Sequence, residues 1–192
     1  MNIEPARTAL LVMDVQADTL GRLGAKAPPV IERIAGLVTA ARRAKVPVIY
    51  VVIGFRPGYP ELDPASRFYA MVAPTGRFVG TPGADIPAQL APQDGELVVV
   101  KKRVSAFAGS DLEMLLRARG ITTLIATGFA TSGVVLSTVR QAADLDYHQI
   151  VVADGCADGD DEVHDVLTKK VFARSATVAS TADVVTALAA IK

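Results

Sequence analysis

Residues 8–15 read Thr-Ala-Leu-Leu-Val-Met-Asp-Val, and Ala9 to Met13 form an unbroken apolar run. A run with no polar alternation is what a strand buried on both faces requires. Such strands belong to parallel sheets, whose crossover connections lay helices over both faces. Similar runs recur at residues 47–53 (PVIYVVI), 96–100 (ELVVV), 122–126 (TTLIA), 149–153 (QIVVA) and, shorter, 176–179. Helical patterns separate them. Residues 28–45 place Val30, Ile31, Ile34, Leu37, Val38 and Ala41 at helical spacing, with prolines at the start where they are tolerated. Ser110-Asp-Leu-Glu113 has the form of a capping box opening a helix that stops at Gly120. Further helices are expected over 132–145, over 160–172 with acids in the first turn, and over 181–191. Strand–helix alternation of this kind predicts an α/β protein, a three-layer α/β/α sandwich, with residues 1–192 as one domain.

The chain has 20 basic and 20 acidic residues, so it lacks the basic excess that nucleic acid or an anionic membrane demands. At 51% hydrophobic it can form a true core rather than remain disordered. Cys156 is the single cysteine, which excludes an internal disulfide and cysteine-rich metal sites. The N-terminus has no signal-peptide pattern. Residues 120–139 carry no charge, but glycines at 120, 128 and 133 and many Ser and Thr residues read as strand, loop and helix start rather than a membrane span. A soluble, cytoplasmic protein is expected. Residues 54–94 are rich in Pro and Gly and have no strong pattern. A stretch that long is either a functional lid or partner-binding arm, or a surface excursion covering the sheet edge.

In open α/β sheets, ligands bind beyond the carboxyl ends of the strands, where strand order reverses. Asp14 ends the first strand. Lys101 and Lys102 end the third, and side-chain alternation allows only one of them to share a side with Asp14. The other is expected to snorkel to solvent. After the fourth strand, Gly128-Phe-Ala-Thr-Ser-Gly133 leads into a helix whose first N–H groups suit an anion or oxyanion. The loop lacks the dinucleotide spacing G-x-G-x-x-G, and there is no Walker motif. His148 and His164 have no third ligand at metal spacing and read as structural or solvent-facing. Asp158, Asp160, Asp161 and Glu162 read as a solvated helix start rather than a calcium loop.

Three segments in order, LLVMDVQ at 10–16, VVVKKRVSAF at 98–107 and TGFATSGVVLSTVRQAADLDY at 127–147, resemble the isochorismatase-like hydrolases. FRPGYPE at 55–61 is similar to a segment in one bacterial branch of that family. The likeness runs from about residue 7 to the C-terminus. It implies a six-stranded parallel sheet of Rossmann-like order and a homo-oligomer, dimer or tetramer. It also implies a site built on Asp14 and Lys101, with a cis peptide near Phe129–Ala130.

In amidase members the resemblance puts a nucleophilic cysteine at the position held here by Val134. Valine has no nucleophilic atom, so thioester chemistry is closed there. Cys156 follows the fifth strand and reads as a packing residue. Isochorismatases proper have glycine at the Val134 position and use the Asp to protonate a vinyl ether. The reading is therefore a hydrolase of a small molecule, at a vinyl ether or a C–N bond, working without a covalent cysteine. Asp14 is general acid or base, Lys101 orients it, and Phe129, Ala130, Thr131, Ser132 and Gly133 supply oxyanion or substrate contacts. Gln16, Arg56, Tyr59 and Phe107 are the expected substrate contacts. A non-catalytic member binding a metabolite or protein partner is the alternative. Amide hydrolysis by direct attack of Asp14-activated water ranks last of the three readings, because it lacks the intrinsic reactivity of a thiol. No cofactor and no metal are expected, since the Asp-x-His arrangement of the nicotinamidases is not found.

Overall fold

The computed structural model describes residue 1 and residues 3–191. Six strands form the sheet: β1 (Thr8–Met13), β2 (Val48–Ile53), β3 (Leu97–Lys101), β4 (Thr123–Phe129), β5 (His148–Ala157) and β6 (Thr177–Ala179). Every neighbouring pair is parallel, and the order is β3-β2-β1-β4-β5-β6. This is the doubly wound Rossmann order, which reverses between β1 and β4. β1 and β2 are buried at every position, as their unbroken apolar runs predict.

Among the described residues, seven α-helices accompany the sheet: α1 (Ala17–Leu20), α2 (Ala27–Arg43), α3 (Arg67–Val72), α4 (Leu112–Ala118), α5 (Leu136–Asp144), α6 (Asp161–Val166) and α7 (Thr181–Ala189). The buried stripe of α2 is Ala27, Val30, Ile31, Ile34, Leu37, Val38 and Ala41, matching the periodicity of the sequence. With Val184 and Leu188 of α7 it covers one face of the sheet, against Leu10, Val12 and Tyr50. Leu112 and Leu116 of α4 and Val139 and Ala142 of α5 cover the other, against Leu11, Met13 and Val51. Each such aliphatic side chain contributes about 1.5–3 kcal/mol by leaving water.

The differences from expectation lie at element ends. The Ser110–Glu113 capping box does not form: α4 starts at Leu112 with Asp111 at its N-cap and no side-chain cap bond. Ser110 Oγ instead donates to the Ala106 carbonyl (2.6 Å) and accepts from Leu112 N (3.3 Å). The helix expected from 132 begins with an irregular turn over Thr131–Val135, because Gly133 adopts φ −95°, ψ −106°, and regular α5 starts only at Leu136. β5 does not stop near 153. It runs on to Ala157, and its register against β4 jumps from Ala126↔Val151 to Gly128↔Cys156. This irregularity carries the end of β5 alongside the end of β4.

At Gly128 the β4 backbone leaves no room for a side chain against β1. Its φ is +135°, and a Cβ there would stand 2.0 Å from the Met13 carbonyl oxygen. Residues 54–94 hold a short helix, α3, and a small core of their own, with Ile53, Phe55, Tyr59, Leu62 and Val72 packed together. Among the described residues, no helix is long and apolar enough to cross a membrane.

Candidate active site

A cavity of about 390 Å³ opens beyond the carboxyl ends of the strands. Asp14 follows β1, Ile53 ends β2, Lys101 ends β3, Phe129 ends β4, Asp158 follows β5, and all five line it. It sits at the reversal of strand order, where such folds bind ligands.

Asp14 leaves the sheet with φ +53° and donates its N–H to the Val51 carbonyl at 2.8 Å. Its Oδ2 lies 3.0 Å from Lys101 Nζ, and the two side chains are 10% and 1% exposed. Lys101 Nζ also donates to the Arg103 carbonyl at 3.0 Å. Asp14 Oδ1 is buried and has no hydrogen-bond partner. Burial pushes the Asp14 carboxyl up to about 6, with the charge and hydrogen bond of Lys101 pulling the other way. Desolvation wins because only one of the two oxygens is compensated.

Lys102 points to the other side of the strand, as alternation requires, but it does not snorkel freely. Its amine donates to the Gly54 carbonyl, lies 3.8 Å from Glu61 Oε1 and sits over the Phe55 ring. It ties the long loop to the sheet.

Beyond β4 the Phe129–Ala130 peptide is cis. Phe129, Ala130, Ser132, Gly133 and Val134 line the cavity, whereas buried Thr131 turns away and shares a 2.8 Å hydrogen bond with His164 Nδ1. Several N–H groups of this loop are already engaged. Gly133 N and Val135 N donate to the Ala130 carbonyl, and Ser132 N donates to Asp158 Oδ2 at 2.7 Å. Asp158 is therefore a buried acceptor, not part of a solvated helix start; Asp160 alone caps α6, through Glu162 N and Val163 N. Burial acts to raise the Asp158 carboxyl, but hydrogen bonds from Ser132, Asp160 and Gly159 outweigh it and hold the group below its usual value. No sequence signal marked Asp158, because the β5 irregularity that brings it to Ser132 is a property of the sheet.

Of the expected substrate contacts, none lines this cavity. Gln16 is buried, bridging Ile53 N and O and Asp85, and borders a neighbouring cavity of about 340 Å³. Arg56 is exposed and paired with Glu61 at 3.0 Å. Tyr59 is buried in the loop core, donating its hydroxyl to the Arg77 carbonyl at 2.8 Å. Phe107 is buried under the opposite face, stacked on Tyr147. In their place the long stretch supplies Phe68, Met71, Val72, Thr75, Arg77 and Phe78, and the α1–α2 connection supplies Arg22 and Leu23. Periodicity could have picked out Phe68 and Val72, four residues apart on a short helix.

Cavity hydroxyls are mostly committed. Thr19 Oγ1 donates to the Asp14 and Gln16 carbonyls and Thr75 Oγ1 to the Val72 carbonyl. Ser132 is paired with Asp158, whose lowered pKa makes it a poor base for a nucleophilic hydroxyl. Cys156 lies in the core, 3% exposed, and burial pushes its thiol up to about 12, so it is inert. Among the described residues, no three His, Cys, Asp or Glu side chains come together as a metal site would need.

A Rossmann-ordered sheet with a buried carboxylate–ammonium pair in a cavity at its switch point is the arrangement in which doubly wound α/β proteins hold small ligands. The isochorismatase domain matches residues 8–183. The ureidoacrylate amidohydrolase RutB of Methylobacterium radiotolerans is 36% identical over 174 residues, covering 79% of this chain and 67% of that protein. An uncharacterized isochorismatase family protein of Escherichia coli O157:H7, YecD, is 30% identical over 195 residues, covering 98% and 100%. The crystal structure of a cysteine hydrolase from Pseudomonas syringae pv. phaseolicola 1448A superposes with a TM-score of 0.89 at 25% identity, covering 100% and 97%. The chain belongs to the isochorismatase family of hydrolases.

Proposed function

We propose that this hydrolase cleaves a C–N bond in a small molecule by direct attack of water, with Asp14 as general base and no covalent cysteine intermediate. The observation that carries the reading is the Lys101–Asp14 pair, buried at 3.0 Å in a cavity that Val134 also lines, Val134 being the residue that the family resemblance sets at the nucleophile position. The amidohydrolase named among the relatives supports C–N chemistry, and on that support C–N hydrolysis is our first reading and the vinyl-ether alternative our second.

The Asp14 carboxylate takes a proton from water as the water oxygen bonds to the substrate carbonyl carbon. Lys101 holds the carboxylate in place throughout and offsets its charge. As the tetrahedral intermediate collapses, the same proton passes to the leaving nitrogen and the C–N bond breaks. Water is consumed, acid and amine are released, and Asp14 returns to its starting state.

A second reading, protonation of a vinyl ether by Asp14, is favoured by the same raised carboxyl, since an acid near pH 6 is available as a proton donor. A panel of ureido compounds, amides and vinyl ethers, assayed with wild type and Asp14→Asn, separates the readings. Turnover of C–N substrates lost in Asp14→Asn is expected. Turnover of vinyl ethers alone moves the assignment to the second reading. No turnover above the Asp14→Asn background leaves a binding protein and overturns both.

A further inference from the structure

Five charged side chains line the cavity: Asp14, Arg22, Arg77, Lys101 and Asp158. Three are spoken for. Asp14 and Lys101 neutralise one another at 3.0 Å, and Asp158 receives the Ser132 and Asp160 N–H groups. Neither guanidinium has a carboxylate within ion-pair distance among the described residues. The cavity therefore carries one positive charge in excess within a chain whose net charge is zero. Between these charges the wall is apolar, with Leu23, Phe68, Met71, Val72, Phe78 and Val104. An apolar cleft with a few converging polar groups orients a ligand through those groups.

The two arginines come from opposite segments, Arg22 from the α1–α2 connection and Arg77 from the long loop. The backbone carrying Arg77 is pinned on several sides. Tyr59 OH donates to its carbonyl at 2.8 Å, Phe78 N donates to Asp18 Oδ2 at 3.2 Å, and Phe55 N donates to the Phe78 carbonyl at 2.7 Å. Tyr59 thus ties the backbone at Arg77 and lies outside the cavity lining. These bonds hold the backbone at Arg77 and leave its guanidinium unpaired among the described residues, a planar fork of donors that matches a carboxylate. The Asp14 carboxylate repels an anionic group placed beside it, so the anionic end of a ligand is driven toward the arginines and its neutral, scissile end toward Asp14 and Val134.

We propose that Arg22 and Arg77 form an anion subsite that selects small substrates bearing a carboxylate as well as the hydrolysable C–N bond. The proposal deepens the hydrolase reading and rests on it for the word substrate, but the subsite itself is a matter of binding. The probes are 3-ureidopropionate and its neutral amide, 3-ureidopropionamide, titrated calorimetrically into wild type, Asp14→Asn, Arg22→Gln, Arg77→Gln and, as a distant surface control, Arg140→Gln. The carboxylate probe is expected to bind wild type and Asp14→Asn about tenfold or more tightly than the amide. Arg22→Gln and Arg77→Gln should each shrink that preference several-fold, with Arg140→Gln unchanged. Equal binding of the two probes, no binding of either at millimolar concentration, or an undiminished preference in both arginine variants overturns the subsite. A preference lost with the arginines keeps the subsite even if no compound of the substrate panel turns over, in which case the hydrolase reading alone falls.

Discussion

Lys101 Nζ stands 3.0 Å from Asp14 Oδ2, and this buried pair joins the end of an outer strand, β3, to the turn after the central strand β1. Lys101 is 1% exposed along its side chain, so its ammonium depends on Asp14 and the Arg103 carbonyl for compensation. The pair is costly to desolvate and more costly to break.

Removing one partner should therefore be worse than removing both. Lys101→Met is expected to lose about 3–5 kcal/mol of stability, because it strands a buried carboxylate. Asp14→Asn/Lys101→Met should recover much of that loss. Urea denaturation of the two single variants and the double variant measures the coupling, and additive losses would refute it.

Burial raises the Asp14 carboxyl from 3.8 to about 6. Between those two values the folded protein holds a proton that the unfolded chain has released. The stabilisation is complete below about pH 3.8 and is lost as pH rises through about 6, an effect on the order of 2–3 kcal/mol. The slope of stability against pH in that window should flatten in Asp14→Asn, and an identical slope in both proteins would count against the assignment. If Asp14 is the base, kcat/KM should climb as pH rises through about 6; an opposite limb indicates an acid.

Gly128 has no tolerance for a side chain. Its φ of +135° and the 2.0 Å clash a Cβ would make with the Met13 carbonyl oxygen fall at the junction of β1 and β4. Gly128→Ala should lower stability by more than about 3 kcal/mol or abolish soluble expression. A melting temperature within two or three degrees of wild type would show that the junction can open.

Cys156 should resist iodoacetamide in the native protein, since its thiol is buried and pushed up to about 12. Val134→Cys puts a thiol at a position that lines the cavity, which Cys156 does not, and alkylation should be faster there than at Cys156. Peptide mass mapping distinguishes the two cysteines. Native labelling of Cys156 at a comparable rate would reverse the assignment of that residue as inert packing.

Unbroken apolar runs and the 3.6-residue stripe of α2 specify which residues leave water, and that needs no knowledge of partners. For the same reason the period of two along β3 sets Lys101 and Lys102 on opposite sides, and the family resemblance then points to Lys101. Helix starts were less legible: Ser110 had two competing backbone partners, and only the packed chain chooses between them.

The sequence by itself determined the layered α/β architecture, the strand ends that carry Asp14 and Lys101, and the absence of a thiol at Val134. Those are local properties, set by alternation, periodicity and residue identity. Only the tertiary structure decided what surrounds that pair. The shifted register of β4 against β5 brings Asp158 to Ser132. The folding of residues 54–94 buries Tyr59, turns Arg56 outward and delivers Arg77 to the cavity. Such contacts join residues tens of positions apart through one packed arrangement, and no short-range pattern encodes them.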